Sequence, residues 1–453
     1  MSADTVWLEL RDCFLPEGLV ARDATLPGLV LDGCLLEHPV KPPLAAERLR
    51  AAADVFLSDA VVAAAVEDGA VCLPGAHIGQ LDCSGTKTRN ESGPAVRVDS
   101  LQVDHDVLLR HGFDAVGAGE RGAVCLIGAH ICGELECAGA KIRNESGPAL
   151  NAAGLQVDQT AFLWKGFEAV GAGERGTVRL RGARIGGRLD CSGAKVSNES
   201  GPALLADSLE VDQDVFLREG FEAVGAGERG TVRLTGMHLG GLLEFSADGV
   251  ENRSHPQARL QVDGLTYTGV PVGLSVDEWL RLLREGTPAY AAQPYQQLAA
   301  AHRAAGHDRQ VRKILIEQRR HQIRSGALTG QAARAWARLT GLSLGYGYQP
   351  WRALIGLLAV LIVAVALCVS IDGALAHTKN SSTPGAPCAT VEQIGVGLDL
   401  GVPLIKSGTR TQCDLTDQPA GQWLTVSGWA LQLLAWAFAT LFIAGFTCAV
   451  RKT

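Results

Sequence analysis

Along the first 270 residues, apolar positions recur at every second residue, in runs too short for a helix or for a free-standing hairpin. The stretch after Gly176 reads Val178-x-Leu180, Leu189-x-Cys191, Leu209-x-Val211 and Val215-x-Leu217, each pair bounded by Gly, Asn, Ser or Asp. A period of two marks strands, and the bounding residues mark turns. The pattern itself repeats. One unit begins at Gly69 (GAVCLPGAHIGQLDCSG) and its successors at Gly122, Gly176 and Gly230, at spacings of 53, 54 and 54 residues. The single extra residue is an insertion beside Cys132. The fourth unit decays after Gly249, as a terminal capping repeat does. Residues 1–68 carry looser matches, such as LRDCFLPEGLVARDATLPGLVLDGCLLEH, and read as degenerate first rungs. Strands this short cannot bury an apolar face alone, but stacked coils can. The fold class is therefore mainly β, a parallel solenoid.

After Val270 the period changes to that of a helix. Ser275 with Glu278 has the spacing of a capping box opening SVDEWLRLLREG. Tyr295, Leu298, Ala299 and His302 follow helical spacing, as do Val311, Ile314, Leu315 and Gln318, with a break at Ala305-Gly306. This predicts an αα-hairpin, then a short helix in GQAARAWARLTG and a Gly/Tyr linker, GYGYQP. Two uncharged runs follow, Ala353 to Ile371 and Trp423 to Val450. The first has 19 residues, and at ~1.5 Å each they cover ~28 Å, one hydrocarbon core. Trp351, Trp423, Trp429 and Trp436 stand at or near the ends and first turns of these runs, where some suit an interfacial belt. The expected organisation is residues 1–68 as degenerate rungs and 69–270 as four β-helix repeats. Residues 271–345 follow as helical hairpin and linker, and 346–453 as a membrane domain with spans near 353–371 and 425–449 and an outer loop over 372–422.

Charge sharpens this division. Residues 1–270 hold 24 basic and 38 acidic residues, and 271–453 hold 17 and 10. An acidic solenoid is a poor nucleic-acid binder, so none is expected as a partner. Ten basic residues lie between Arg303 and Arg352, opposed by Asp308 and Glu317 alone. The outer loop has three, Lys379, Lys406 and Arg410. This bias places both termini in the cytoplasm and the loop outside. The N-terminus has no basic segment followed by an apolar one, so no cleavable signal peptide is expected. Eight cysteines in 1–270 without a C-x-x-C pair fit reduced, buried thiols. Cys388 and Cys413 are the two cysteines of the outer loop, where a disulfide can form.

Several motifs invite chemistry. GAGERG matches G-x-G-x-x-G three times, at Gly117, Gly119 and Gly122, at Gly171, Gly173 and Gly176, and at Gly225, Gly227 and Gly230. A dinucleotide fingerprint must open a helix within a βαβ unit. Here each copy precedes a strand pattern, so a recurrent loop between coils is the preferred reading and no cofactor is expected. His77, His130, Arg184 and His238 share one repeat position. Neighbouring units are two coils apart, ~10 Å, whereas zinc ligands sit ~2.1 Å from a shared ion. They read as an outward polar stripe, with no metal. Cys83, Cys137 and Cys191 share a position with Phe245 and read as an inward apolar ladder. Cys72 and Cys125 align with Arg179 and Arg233, which predicts outward, accessible thiols. Asn-Glu-Ser-Gly-Pro, at 90–94, 144–148 and 198–202, holds a formal glycosylation sequon that reads more simply as an Asx turn. Arg312, Lys313, Arg319, Arg320 and Arg324 form a basic helix face suited to a protein partner, to solvent or to anionic lipid.

In VRLRGARIGGRLDCSGAKV, small and aliphatic residues fall near steps of five, Leu180 and Ile185 among them, which resembles the pentapeptide type of right-handed β-helix. With PYQQLAAAHRAAGH, GYGYQPWRAL and two C-terminal spans, the chain resembles bacterial, mostly actinobacterial, membrane proteins with pentapeptide-like repeats. Members are often labelled "membrane-associated oxidoreductase". The resemblance implies a right-handed β-helix with coils of about 20 residues, placement in the bacterial cell membrane and, through the label, an oxidoreductase using a nicotinamide or flavin. It carries over no catalytic residue. The preferred reading from the residues is a non-enzymatic, membrane-tethered β-helix scaffold facing the cytoplasm, with membrane lipids and a cytoplasmic protein as partners. The alternatives are that oxidoreductase and a small oligomeric two-span channel.

Overall fold

Four short strands and four corners make one coil. In the coil that starts at Leu81 the strands are Leu81–Asp82, Lys87–Asn90, Val96–Arg97 and Gln102–Val103, one on each of four faces. The next coil starts at Val107, parallel to the first and in register with it. The computed structural model describes residues 7–326, 351–371, 373–378, 385–401, 408–416 and 418–452. The expected helix in GQAARAWARLTG and the linker GYGYQP lie outside these. Among the described residues, the stacked coils give three ten-stranded parallel sheets and one of nine strands, a solenoid of about nine turns.

Coil length alternates. Leu81 pairs with Val107 and Val107 with Leu135, steps of 26 and 28 residues, so one 54-residue unit is two coils. Both coils exceed the length implied by the pentapeptide resemblance. The surplus sits at the corner between the second and third faces. There, one coil carries Asn-Glu-Ser-Gly-Pro and the next Gly-Ala-Gly-Glu-Arg.

The doubled period has a physical cause. In a parallel, in-register stack every side chain sits on its counterpart in the coil below, so like charges would repel and large rings would collide, although aliphatic pairs such as Val96 and Val124 stack. Alternate coils are instead complementary. On the second face the outward ladder runs Lys87, Asp114, Lys141, Glu168, Lys195, Glu222. Inside the corner between the first and second faces a large ring alternates with a methyl group: Phe113, Ala140, Phe167, Ala194 and Phe221, all at most 2% exposed. Their backbones are linked in that order, with Lys141 N–H donating to Phe113 O, Glu168 N–H to Ala140 O, Lys195 N–H to Phe167 O and Glu222 N–H to Ala194 O. Large-over-small stacking lets each ring occupy space that the methyl groups above and below it leave.

Three helices close the C-terminal end of the stack: α1 (Val276–Glu285), α2 (Gln293–Ala304) and α3 (Asp308–Arg324). Ser275 and Glu278 make the expected capping box at the start of α1, and Gly306, at φ +74°, makes the break between α2 and α3. Trp279, Leu282, Leu283, Tyr295, Leu298 and Ile314 join the apolar core of the solenoid itself. The Trp279 ring lies 5.8 Å from that of Phe245 in the final rungs. The last coil would otherwise expose unpaired strand edges. Gln293 answers this with its side-chain amide, accepting from Gly264 N–H at 3.0 Å and donating to Leu265 O at 2.8 Å. Gln297 donates to Tyr267 O, and Gly286 O accepts from the N–H groups of Arg259 and Leu260.

Residues 322–453 form a second compact unit. Its long helices are Trp351–Ser370 and Pro419–Lys452, with mean hydropathy of 3.0 and 1.6 over their most apolar windows. A short helix, Thr390–Gly401, packs on both. Glycine permits the close approach: a Cβ at Gly397 would lie 2.7 Å from the Val365 backbone, and one at Gly356 2.6 Å from the Phe438 ring. Leu375–His377 pairs antiparallel with Cys413–Leu415.

Candidate functional site

The three GAGERG copies lie at the wide corner, stacked along one edge of the solenoid. Their first glycines are strand residues facing an asparagine of the next coil, with Gly117 opposite Asn144, Gly171 opposite Asn198 and Gly225 opposite Asn252. A Cβ at Gly117 would come within 2.7 Å of the Ala123 backbone. Gly119 and Gly173 turn the loop at φ +86° and +84°, and Gly122 and Gly230 end it at +130° and +128°. Gly176 closes the middle copy at +87°, whereas Gly227 is held against Gly201 and Pro202.

The Asn of Asn-Glu-Ser-Gly-Pro is buried, at most 2% exposed in all three copies. Asn144 donates to Gly119 O and Pro148 O, and Asn198 to Gly173 O and Pro202 O. Ser146 and Ser200 accept from the N–H groups of Gly119 and Gly173. Ala118 N–H donates to Gly93 O and Ala172 N–H to Gly147 O. The two motifs therefore latch successive coils together, and the amides of Ala118, Gly119, Ala172 and Gly173 are spent on that latch rather than left to face a phosphate. Glu120 and Arg175 pair across two loops at 3.0 Å. An open cleft of about 660 Å³ lies against the last copy, lined by Glu199, Ser200, Glu228, Arg229, Arg233 and His255.

The thiols divide in two ways. Cys83, Cys137 and Cys191 point inward and are buried, as their exchange with Phe245 indicates, and burial pushes each thiol far up. Cys72 and Cys125 correct the sequence expectation. They stand on the outer side of the third face yet are at most 1% exposed. The wide corner folds over them: the Cys72 thiol donates toward Asp68 O and the Cys125 thiol toward Gly122 O. Burial raises them to about 11 and about 12. Cys132 is the exposed free cysteine among the described residues. Desolvation, then Asp158 and Asp104, hold its thiol above the ordinary range. In native protein, maleimide should therefore modify Cys132 first, at a rate that climbs with pH as the scarce thiolate forms. Mass-mapped labelling over a pH series checks this, and early modification of Cys72 or Cys125 would contradict the burial.

The polar stripe is outward and is interleaved with residues from the intervening coils. On the fourth face it runs Arg50, His77, Gln102, His130, Gln156, Arg184, Glu210, His238. At its centre the structure brings together three groups that comparison of repeat equivalents does not connect. The ligand atoms of His130, Cys132 and Asp158 all lie within 4.8 Å of one another. His130 Nε2 is 3.1 Å from each Asp158 carboxylate oxygen. Equivalent residues of successive repeats are two coils apart. The nearest neighbour of His130 belongs to the unlike coil between, so comparison at the repeat period passes over it. The visible signal was a cysteine, Cys132, where the third and fourth units have Gly186 and Gly240.

On α3, Arg312, Lys313, Arg319, Arg320 and Arg324 fall on the face opposite the buried Val311 and Ile314. Arg312, Lys313, Arg320 and Arg324 are exposed, and Lys313 pairs with Asp277 at 2.5 Å and Arg320 with Glu317 at 3.3 Å. In the C-terminal unit, Cys388 and Cys413 are joined by a disulfide, with Cα atoms 6.1 Å apart. The chain matches no known protein-family model, no curated protein and no solved structure.

Proposed function

We propose that this chain is a membrane-tethered scaffold, a capped β-solenoid that presents long, laddered polar faces to cytoplasmic protein partners. One observation carries the reading. The two long apolar helices are 22% and 11% buried over their most apolar windows. They leave Leu354, Ile355, Leu358, Ile362, Leu433, Leu434 and Ile443 exposed. A core helix of a soluble protein buries such residues, whereas helices in hydrocarbon have no reason to. The excess of Lys and Arg before Trp351 supports a cytoplasmic solenoid in a bacterial cell membrane. Exposed Arg312 and Arg324 suit anionic headgroups, and salt should weaken that contact.

The competing enzyme reading asks the GAGERG loops to hold a nicotinamide or flavin. In the first two loops the amides of Ala118, Gly119, Ala172 and Gly173 are committed to Gly93, Ser146, Gly147 and Ser200, and in the third Ala226 N–H donates to Gly201 O, which supports a structural role. Purified full-length chain should show no flavin absorbance and no rise in melting temperature with NAD(H) or NADP(H). A true site filled at 100 times its Kd would add ~2.7 kcal/mol. A shift of that size, lost in Gly119→Val or Gly173→Val, would establish the enzyme instead. A channel reading draws on the short helix Thr390–Gly401 lying between the two long ones. Ion flux through vesicles carrying the chain would favour it over the scaffold.

A further inference from the structure

We propose that His130, Cys132 and Asp158 bind a zinc-class divalent cation that clips two adjacent coils of the solenoid together. The donor set is one imidazole, one thiol and one carboxylate, a borderline-soft combination that suits zinc and excludes magnesium or calcium as the preferred ion. His130 and Cys132 come from one coil and Asp158 from the next, so an ion held by all three bridges them.

The polar contacts at the cluster point the same way. His130 Nε2 faces both Asp158 oxygens at 3.1 Å and the side-chain nitrogen of Gln156 at 3.1 Å. With a proton on Nε2 the ring donates to the carboxylate, and with Nε2 bare it accepts from Gln156. In the second state a cation would take its lone pair and those of the carboxylate together. Gln156 also donates to Asp158 Oδ1 at 3.0 Å, which fixes that carboxylate. The charges acting on the Cys132 thiol are those of Asp158 and Asp104, both negative.

The repeat supplies an internal contrast. Glycine stands where the third and fourth units match Cys132, at Gly186 and Gly240. A Cβ there would come within 2.4 Å of Asp158 O and 2.2 Å of Asp212 O. The first unit has glycine, Gly79, directly after Ile78. The column thus favours a residue without a side chain and departs from that in the second unit alone, in favour of a thiol beside an imidazole and a carboxylate. The unit that carries the cysteine is the one that pairs it with His130 and Asp158.

The test uses full-length chain purified without a histidine tag, in detergent, with a non-chelating reductant. Zn²⁺ should bind at one equivalent per chain, release protons as the thiol ionises and protect Cys132 from maleimide. Co²⁺ should give a thiolate-to-metal charge-transfer band. Two variants are chosen to leave the fold intact. Cys132→Gly restores the residue of the other units, and His130→Gln restores the residue of the neighbouring coils, Gln102 and Gln156. Each should weaken Zn²⁺ binding by at least about tenfold, the loss expected even for groups that only orient a ligand. His238→Ala, at the same repeat position but without a thiol beside it, should change nothing. Absence of the cobalt–thiolate band in the native chain, or unchanged zinc affinity in Cys132→Gly, would overturn the proposal.

Discussion

Phe167→Ala is expected to destabilise the middle of the solenoid by about 3–5 kcal/mol. The ring is fully buried, between Ala140 and Ala194 of the flanking coils. Those neighbours are already methyl groups, so the vacated volume has nothing to collapse into it. In a solenoid each coil touches only its neighbours, so damage stays local before it spreads. Hydrogen exchange should accelerate most in Lys141–Asn144, Glu168–Gly171 and Lys195–Asn198, and much less at Leu8–Arg11. The reverse substitution, Ala140→Phe, places three rings in consecutive coils and should cost about 1–3 kcal/mol through overpacking. Uniform loss of protection across all coils would contradict this picture.

Leu283→Asp should have the other large effect. Leu283 is 3% exposed in the seam between α1 and the final rungs. A carboxylate there would share a small cavity with Val262, Asp263 and Tyr295 and no basic side chain, and an uncompensated buried charge costs on the order of 3–5 kcal/mol. The cap then lifts, and the edges of Leu243–Phe245, Val250–Asn252 and Leu260–Gln261 are opened. Open parallel edges recruit other chains. Light scattering after gel filtration should show end-to-end oligomers, with faster exchange in the last coil while the first coils stay protected. A monodisperse variant with an unchanged melt would mean that the helices are an appendage rather than a cap.

Much of this architecture is written plainly in the chain. Period-two alternation, repetition at 54 residues and the Ser275–Glu278 box each rest on local rules, and each corresponds to an element of the structure. The solenoid's details depend on contacts between coils, which local rules do not reach. Cys72 and Cys125 align with arginines, and alignment reports the direction of a side chain. It does not report that the wide corner folds over that direction. The role of α1–α3 as a cap comes from where Trp279 and Gln293 meet the last coil, which no spacing within the helices reveals. The cluster at His130 escaped because the sequence repeat is two coils long. Residues equivalent at the 54-residue period are separated by a whole coil in such a stack. The direct neighbours come from the intervening coil, as Lys87 with Asp114 or His130 with Gln156.

The membrane-tethered scaffold is tested most directly by the side from which its thiols can be reached. Cys132 is an exposed reporter on the solenoid, and Val391, 80% exposed between the apolar helices, is a site for a second one. In intact bacterial cells producing the full chain with Val391→Cys, a membrane-impermeant maleimide should label the introduced cysteine and leave Cys132 untouched. In inverted membrane vesicles the pattern should reverse. Labelling of Cys132 in intact cells, or recovery of the chain in the soluble fraction, would contradict a solenoid held on the cytoplasmic face by two membrane spans.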